Sequence, residues 1–130
     1  MKKDLYVGIG GAVGTILRIV IHELSLPFGS AYRPLLTMLI NISGSFLLGF
    51  LMVLFGKLYP VKAEIRLGIT TGVLGGYTTF STLCKETVLL SFSGNWICSA
   101  LYVVFSLLFG LAAAWLGIKA AKWLEWRRAS

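Results

Sequence analysis

Four membrane-spanning helices in one domain over residues 1–130, the third broken near mid-membrane, make up the all-α integral membrane fold that this sequence predicts. Three observations carry that expectation. Hydrophobic residues are 57% of the chain and charged residues 13%, with mean hydropathy +0.84, which leaves too little polar surface to cover a water-soluble globule. Long apolar runs recur four times along the sequence. One of them contains GGYTTFSTL, Gly75 to Leu83, where two glycines and four hydroxyl side chains replace the residues that hydrocarbon would favour.

The first run, Leu5 to Ile21, is apolar apart from Arg18. Lys2 and Lys3 precede it as in a secretory leader, but no small-x-small cleavage site follows, so it is assigned as a span. The second, Leu35 to Gly56, is 22 residues without a charge, and the fourth, Trp96 to Ile118, is 23. Either crosses a hydrocarbon core of about 30 Å as a helix. The third, Leu67 to Cys84, is 18 uncharged residues holding the glycine and hydroxyl stretch. The links His22 to Pro34, Lys57 to Arg66 and Ser91 to Asn95 are too short for a second domain. Pro27, Pro34 and Pro60 punctuate them, and Tyr32, Tyr59, Trp96 and Trp123 fall where aromatic belts belong.

The net charge of +7 is unevenly distributed. Lys2, Lys3, Lys57, Lys62, Arg66, Lys119, Lys122, Arg127 and Arg128 share one end of a four-helix bundle, leaving Arg18, Arg33 and Lys85 elsewhere. This bias predicts cytoplasmic termini in a cell membrane, and it provides no basic face of the kind that binds nucleic acid. Cys84 and Cys98 lie in or beside apolar helices and are assigned as small core residues. His22 is the only histidine, the five acids are scattered, and no nucleophile has a base near it, so an enzyme is not expected.

Small residues at helix-packing spacing mark contact faces: Gly10 with Gly14, Ser45 with Gly49, and the ladder Gly68, Gly72, Gly76. Polar residues inside the spans are costly unless paired, so they carry more information. Thr37, Asn41 and Ser45 recur every four residues along one helix face, and Ser99, Tyr102, Ser106 and Gly110 form a second stripe. Interhelical hydrogen bonds account for Ser45 and Ser99, whereas a mid-span amide at Asn41 needs several partners at once. In the third span, Gly75 and Gly76 permit unusual backbone angles, and the hydroxyls of Thr78, Thr79, Ser81 and Thr82 can serve backbone groups freed by a break. Such a break sets N–H groups where an anion can sit and carbonyls where a cation can sit.

These residues resemble a known family. GGYTTFST, with GGAVGTILR at Gly10 to Arg18 and TMLINISG at Thr37 to Gly44, is similar to the signature regions of the Fluc/CrcB fluoride channels. The resemblance implies an antiparallel, dual-topology dimer with two fluoride pores and a structural sodium ion on its axis. It implies sodium ligation by the backbone carbonyls of Gly75 and Thr78 from both subunits. Asn41 corresponds to the pore amide, Phe80 to the first aromatic of a phenylalanine pair, and Thr82, beside Ser81, to the adjoining hydroxyl. Thr37, Tyr102 and Ser106 fall on the polar tracks, Arg18 matches the first-helix arginine and Glu86 the third-helix glutamate. Neutral donors suit a small, strongly hydrated anion that must bind and still leave. Arg18 serves as an attractor at a vestibule or only snorkels to the interface.

Two features depart from the family pattern. Leu83 stands where the second aromatic belongs, losing the electropositive ring edge. The basic bias of nine to three is large for a chain that inserts both ways. Both fit a subunit of fixed orientation paired with an inverted paralogue, with a homodimer as the competing assembly. A small multidrug transporter is the alternative class, but it needs a carboxylate inside the first span, and Leu5 to Ile21 has none.

Overall fold

The computed structural model describes residues 1–24 and 32–129, so Pro27 of the first link lies outside the described residues. Every regular element among the described residues is helical, with α1 Lys2–Leu24, α2 Arg33–Val53, α3 Ala63–Leu67, α4 Leu74–Tyr77, α5 Phe80–Phe92 and α6 Trp96–Ala129. Two wider π-helical segments interrupt the regular pattern. Leu54–Leu58 continues α2, and Gly68–Val73 joins α3 to α4. Among the described residues three stretches are long and apolar enough to cross a membrane unaided: Lys2–Glu23, Arg33–Leu58 and Trp96–Arg128. The remaining crossing is assembled from α3 to α4 followed by α5.

Glycine decides how the first half of that crossing packs. A Cβ on Gly10 would collide with the carbonyl of Gly68, one on Gly14 with that of Val73, and one on Gly76 with that of Gly11. The two backbones therefore touch, as the small-residue spacing predicts. Gly68, Gly72 and Gly76 repeat every four residues, which drifts around a helix of 3.6 residues per turn. The π-helical turn absorbs that drift and keeps all three against α1. The same device joins α2 to α6, where Gly49 meets the carbonyl of Ala114 and Gly117 that of Phe46. Ser45 lies close to Gly110 across this seam.

The second half of the broken span packs differently, against α6 and α2. The Ser99 hydroxyl donates to the Thr87 carbonyl at 2.8 Å, and Ser91 donates to Ser99 at 2.8 Å, closing the α5–α6 hairpin around Gly94. Gly94 has φ +82°, where a side chain would be strained. Among the described residues few large apolar side chains are buried, and most face outward along the helices, as hydrocarbon requires. Tyr32, Tyr59, Trp96 and Trp123 are all exposed at helix ends.

Three expectations need correction. Helix α6 runs to Ala129, well past Ile118, because Lys119 to Arg128 contains strong helix formers and no breaker. Cys98 is exposed, since it lies on the outer face of α6; only Cys84 is partly covered. Gly75 and Gly76 sit inside α4 with ordinary helical angles, so they do not open the chain.

Candidate functional site

The break is narrower than the stretch Gly75 to Leu83. It consists of Thr78 (φ −74°, ψ 156°) and Thr79 (φ −148°, ψ 113°), both extended, between the end of α4 and the start of α5. Each side-chain group there has a defined task. The Asn41 amide grips Thr79 from α2, donating from Nδ2 to the Thr79 carbonyl at 3.0 Å and accepting from the Thr79 N–H at Oδ1 at 2.7 Å. Those are the several partners that a mid-span amide needs. Asn41 is thus a clasp on the break.

Thr79 also caps the next helix. Its Oγ1 accepts from the Thr82 N–H at 3.2 Å and donates to the Thr82 hydroxyl at 2.9 Å, with the exposed Ser81 hydroxyl 3.3 Å away. A side-chain oxygen at the N-cap fills one of the orphan donors of a helix start. Thr78 turns the other way, its Oγ1 donating to the Leu74 carbonyl at 2.9 Å. Sequence reasoning named Thr79 only as one hydroxyl among four. A Thr followed by Phe-Ser-Thr is a recognisable N-cap, and that signal could have singled it out.

The break leaves four carbonyls, those of Gly75, Gly76, Tyr77 and Thr78, without their helical donors. In an unbroken helix the Thr79 N–H would bond the Gly75 carbonyl and the Thr82 N–H that of Thr78. Asn41 takes the first and Thr79 Oγ1 the second. Gly75 and Thr78, the positions named by the family resemblance, are two of these four. A Cβ added at Gly75 would meet nothing in the subunit, so that side of α4 is open. Gly76, by contrast, is held by Arg18, whose Nε donates to the Gly76 carbonyl at 3.2 Å. Arg18 does not snorkel: it caps the C-terminal end of α4, where a cation is favoured.

A cavity of about 550 Å³ opens beyond Arg18 on the side away from the termini. Arg33 and Lys85 also line it, so the three basic residues excluded from the terminal set converge there, opposed by Glu23 and Glu86. Its floor leads into a buried polar group. Thr37, fully buried, donates to Glu86 Oε1 at 3.0 Å, and Tyr102 donates to Glu86 Oε2 at 2.7 Å. One turn along α6, the buried Ser106 hydroxyl has no hydrogen-bond partner among the described residues. Thr82 borders the cavity as well.

The two positions of the aromatic pair separate. Phe80 is 74% exposed on the outer face of α5, while Leu83, one turn later, is 7% exposed inside the subunit. Among the described residues no cluster of His, Cys, Asp or Glu could hold a metal.

An all-helical, multi-pass membrane protein, with one span interrupted and neutral polar groups gathered at the interruption, has the build of a small channel or carrier subunit rather than an enzyme. Residues 5–118 match the family described as CrcB-like protein, Camphor Resistance (CrcB), and the chain belongs to that family. It is 43% identical over 119 residues to the Fluoride-specific ion channel FluC 1 of Brucella melitensis biotype 1, covering 90% of this chain and 97% of that one. Its identity to the Fluoride-specific ion channel FluC of Chlorobaculum tepidum is 41% over 122 residues, 94% and 96% of the two chains. To that of Allorhizobium ampelinum it is 35% over 124 residues, 95% and 99%.

Proposed function

We propose that this chain is a subunit of a fluoride-selective channel that lets fluoride leave the cell down its gradient. The observation that carries this reading is the clasped break. A neutral amide and a hydroxyl cap hold open a helix end within the bundle, at the end of a polar path that starts in a basic cavity. Arg18, Arg33 and Lys85 draw anions into the cavity, and Thr82 and Ser106 offer hydroxyls further in, while Thr37 and Tyr102 line the route with their protons held by Glu86. The N-terminal end of α5 replaces hydration water without a buried lysine that would hold the ion. Phe80 adds a ring edge on the outer face, where a second subunit would complete the pore.

The assembly expected is two subunits packed antiparallel. A sodium ion fits the break, since the freed carbonyls of Gly75 and Thr78 are hard oxygen donors on an open face. Bound there by two subunits, it would neutralise the carbonyl ends of both α4 helices and hold them together. Leu83 and the basic bias of the terminal end support a fixed orientation and an inverted paralogue as partner. Relatives named FluC 1 and FluC 2 in Brucella species are compatible with paired genes.

Fluoride efflux from proteoliposomes, read with a fluoride electrode beside a chloride electrode, tests the function. Fast fluoride loss with chloride retained is the expected result. Equal loss of both ions, or of neither from a subunit reconstituted with its paralogue, would overturn it.

A further inference from the structure

The C-terminal end of α6 poses a separate question. At 1.5 Å per residue its 34 residues span about 51 Å, far more than a hydrocarbon core of about 30 Å. Trp96 and Trp115 are about 28 Å apart on the same rule, which fits the two edges of that core. Everything after Trp115 then lies in or beyond the headgroup layer. This overhang still exposes Trp123 and Trp126, 52% and 65%, which bulk water does not favour.

Its cations are arranged in a particular way. The Lys119 ammonium lies 5.0 Å from the Trp115 ring centroid and the Arg127 guanidinium 4.5 Å from that of Trp123. Each ring is one turn nearer the bilayer than its cation, because helix side chains lean toward the N-terminus. The positive groups are thereby folded back toward the membrane. Arg128 stacks 4.5 Å over Tyr59 at the end of the second span, tying the overhang to its neighbour. Glu125, the sole acid of the overhang, faces Lys57 at 3.5 Å and so subtracts little from the collar.

We infer that this end of the subunit binds anionic phospholipid headgroups, with the stacked cations of α6 contacting phosphate and the tryptophans resting at the interface. The inference rests on the membrane-spanning reading of α6 and not on the ion conducted. Stacked guanidinium groups keep their N–H edges free for phosphate, and surface cations are drawn to an anionic leaflet.

The test is the thermal midpoint of the purified full-length protein in detergent with added short-chain phosphatidylglycerol, phosphatidylcholine or inorganic phosphate. Phosphatidylglycerol alone should raise the midpoint by several degrees. A Lys119→Gln/Arg127→Gln/Arg128→Gln variant should lose at least half of that shift while its fluoride efflux from phosphatidylcholine vesicles stays unchanged. Equal shifts with both lipids, or a shift retained in the variant, would overturn the inference, and a shift reproduced by phosphate would assign the site to soluble anions instead. Should the triple variant fail to fold, Trp123→Leu replaces it: a reduced phosphatidylglycerol shift supports the site and an unchanged one overturns it. Absent fluoride efflux from the wild-type protein reconstituted with its paralogue would count against the proposed channel and leave the lipid measurement intact.

Discussion

Asn41 and Thr79 are joined by two reciprocal hydrogen bonds, an amide side chain of one helix pairing with the backbone of the residue that interrupts another. Asn41→Asp keeps the acceptor and removes the donor, leaving the Thr79 carbonyl unpaired at a cost of about 1–3 kcal/mol and placing a potential negative charge beside an anion path. Fluoride efflux should collapse while dimer assembly, read by size exclusion, survives. Undiminished efflux would remove Asn41 from the conducting path.

Adjacent glycines should respond in opposite ways. A side chain at Gly76 meets the backbone of α1, so Gly76→Val should prevent the bundle from forming and leave aggregated protein on a sizing column. Gly75 has open space inside the subunit. Gly75→Val should therefore leave the subunit folded yet stop flux by crowding the face where the freed carbonyls meet a partner. Normal transport by Gly75→Val would refute that placement of the cation.

Tyr102→Phe removes one of the two hydroxyl donors to Glu86 without changing the ring that packs between α5 and α6. A hydrogen bond to a carboxyl group is worth about 1–3 kcal/mol, so the thermal midpoint should fall and fluoride flux should drop about tenfold. Thr37→Val, which removes the other donor, should behave alike; flux equal to wild type in both would exclude this group from the route.

Leu83 decides the last case. Expressed alone, this chain should show weak flux and termini mapped to one side of the membrane, and the inverted paralogue should restore flux. Leu83→Phe should raise the flux of the lone chain even though the buried site makes it overpacked by about 1–3 kcal/mol. Strong flux from the lone wild-type chain, with termini found equally on both sides, would sink the heterodimer.

Much of the fold was legible because lipid imposes few solutions. Apolar length located the spans, and glycines four apart marked the contact faces of α1 and of the third crossing without saying that they meet each other. The break was legible as a region but not to the residue, because glycine propensity pointed at Gly75 and Gly76 while packing against α1 holds both in a helix. What opens the chain is competition for donors, and that depends on Asn41 arriving from 38 residues away. The role of Arg18 was hidden for the same reason, since its partner is a backbone oxygen of another helix. The extension of α6 was missed by equating the end of hydrophobicity with the end of the helix.

The two-residue interruption at Thr78 and Thr79 also bears on how the third span enters the bilayer in the first place. A lysine or aspartate at the centre of a nascent segment costs about 2.5–3.5 kcal/mol at the translocon. Leu67 to Cys84 carries no such residue, so the insertion machinery meets a merely neutral segment. The opposed electrical poles of α4 and α5 arise only afterwards, when Asn41 reaches Thr79. The polarity needed at work is thus absent during biosynthesis and created by folding.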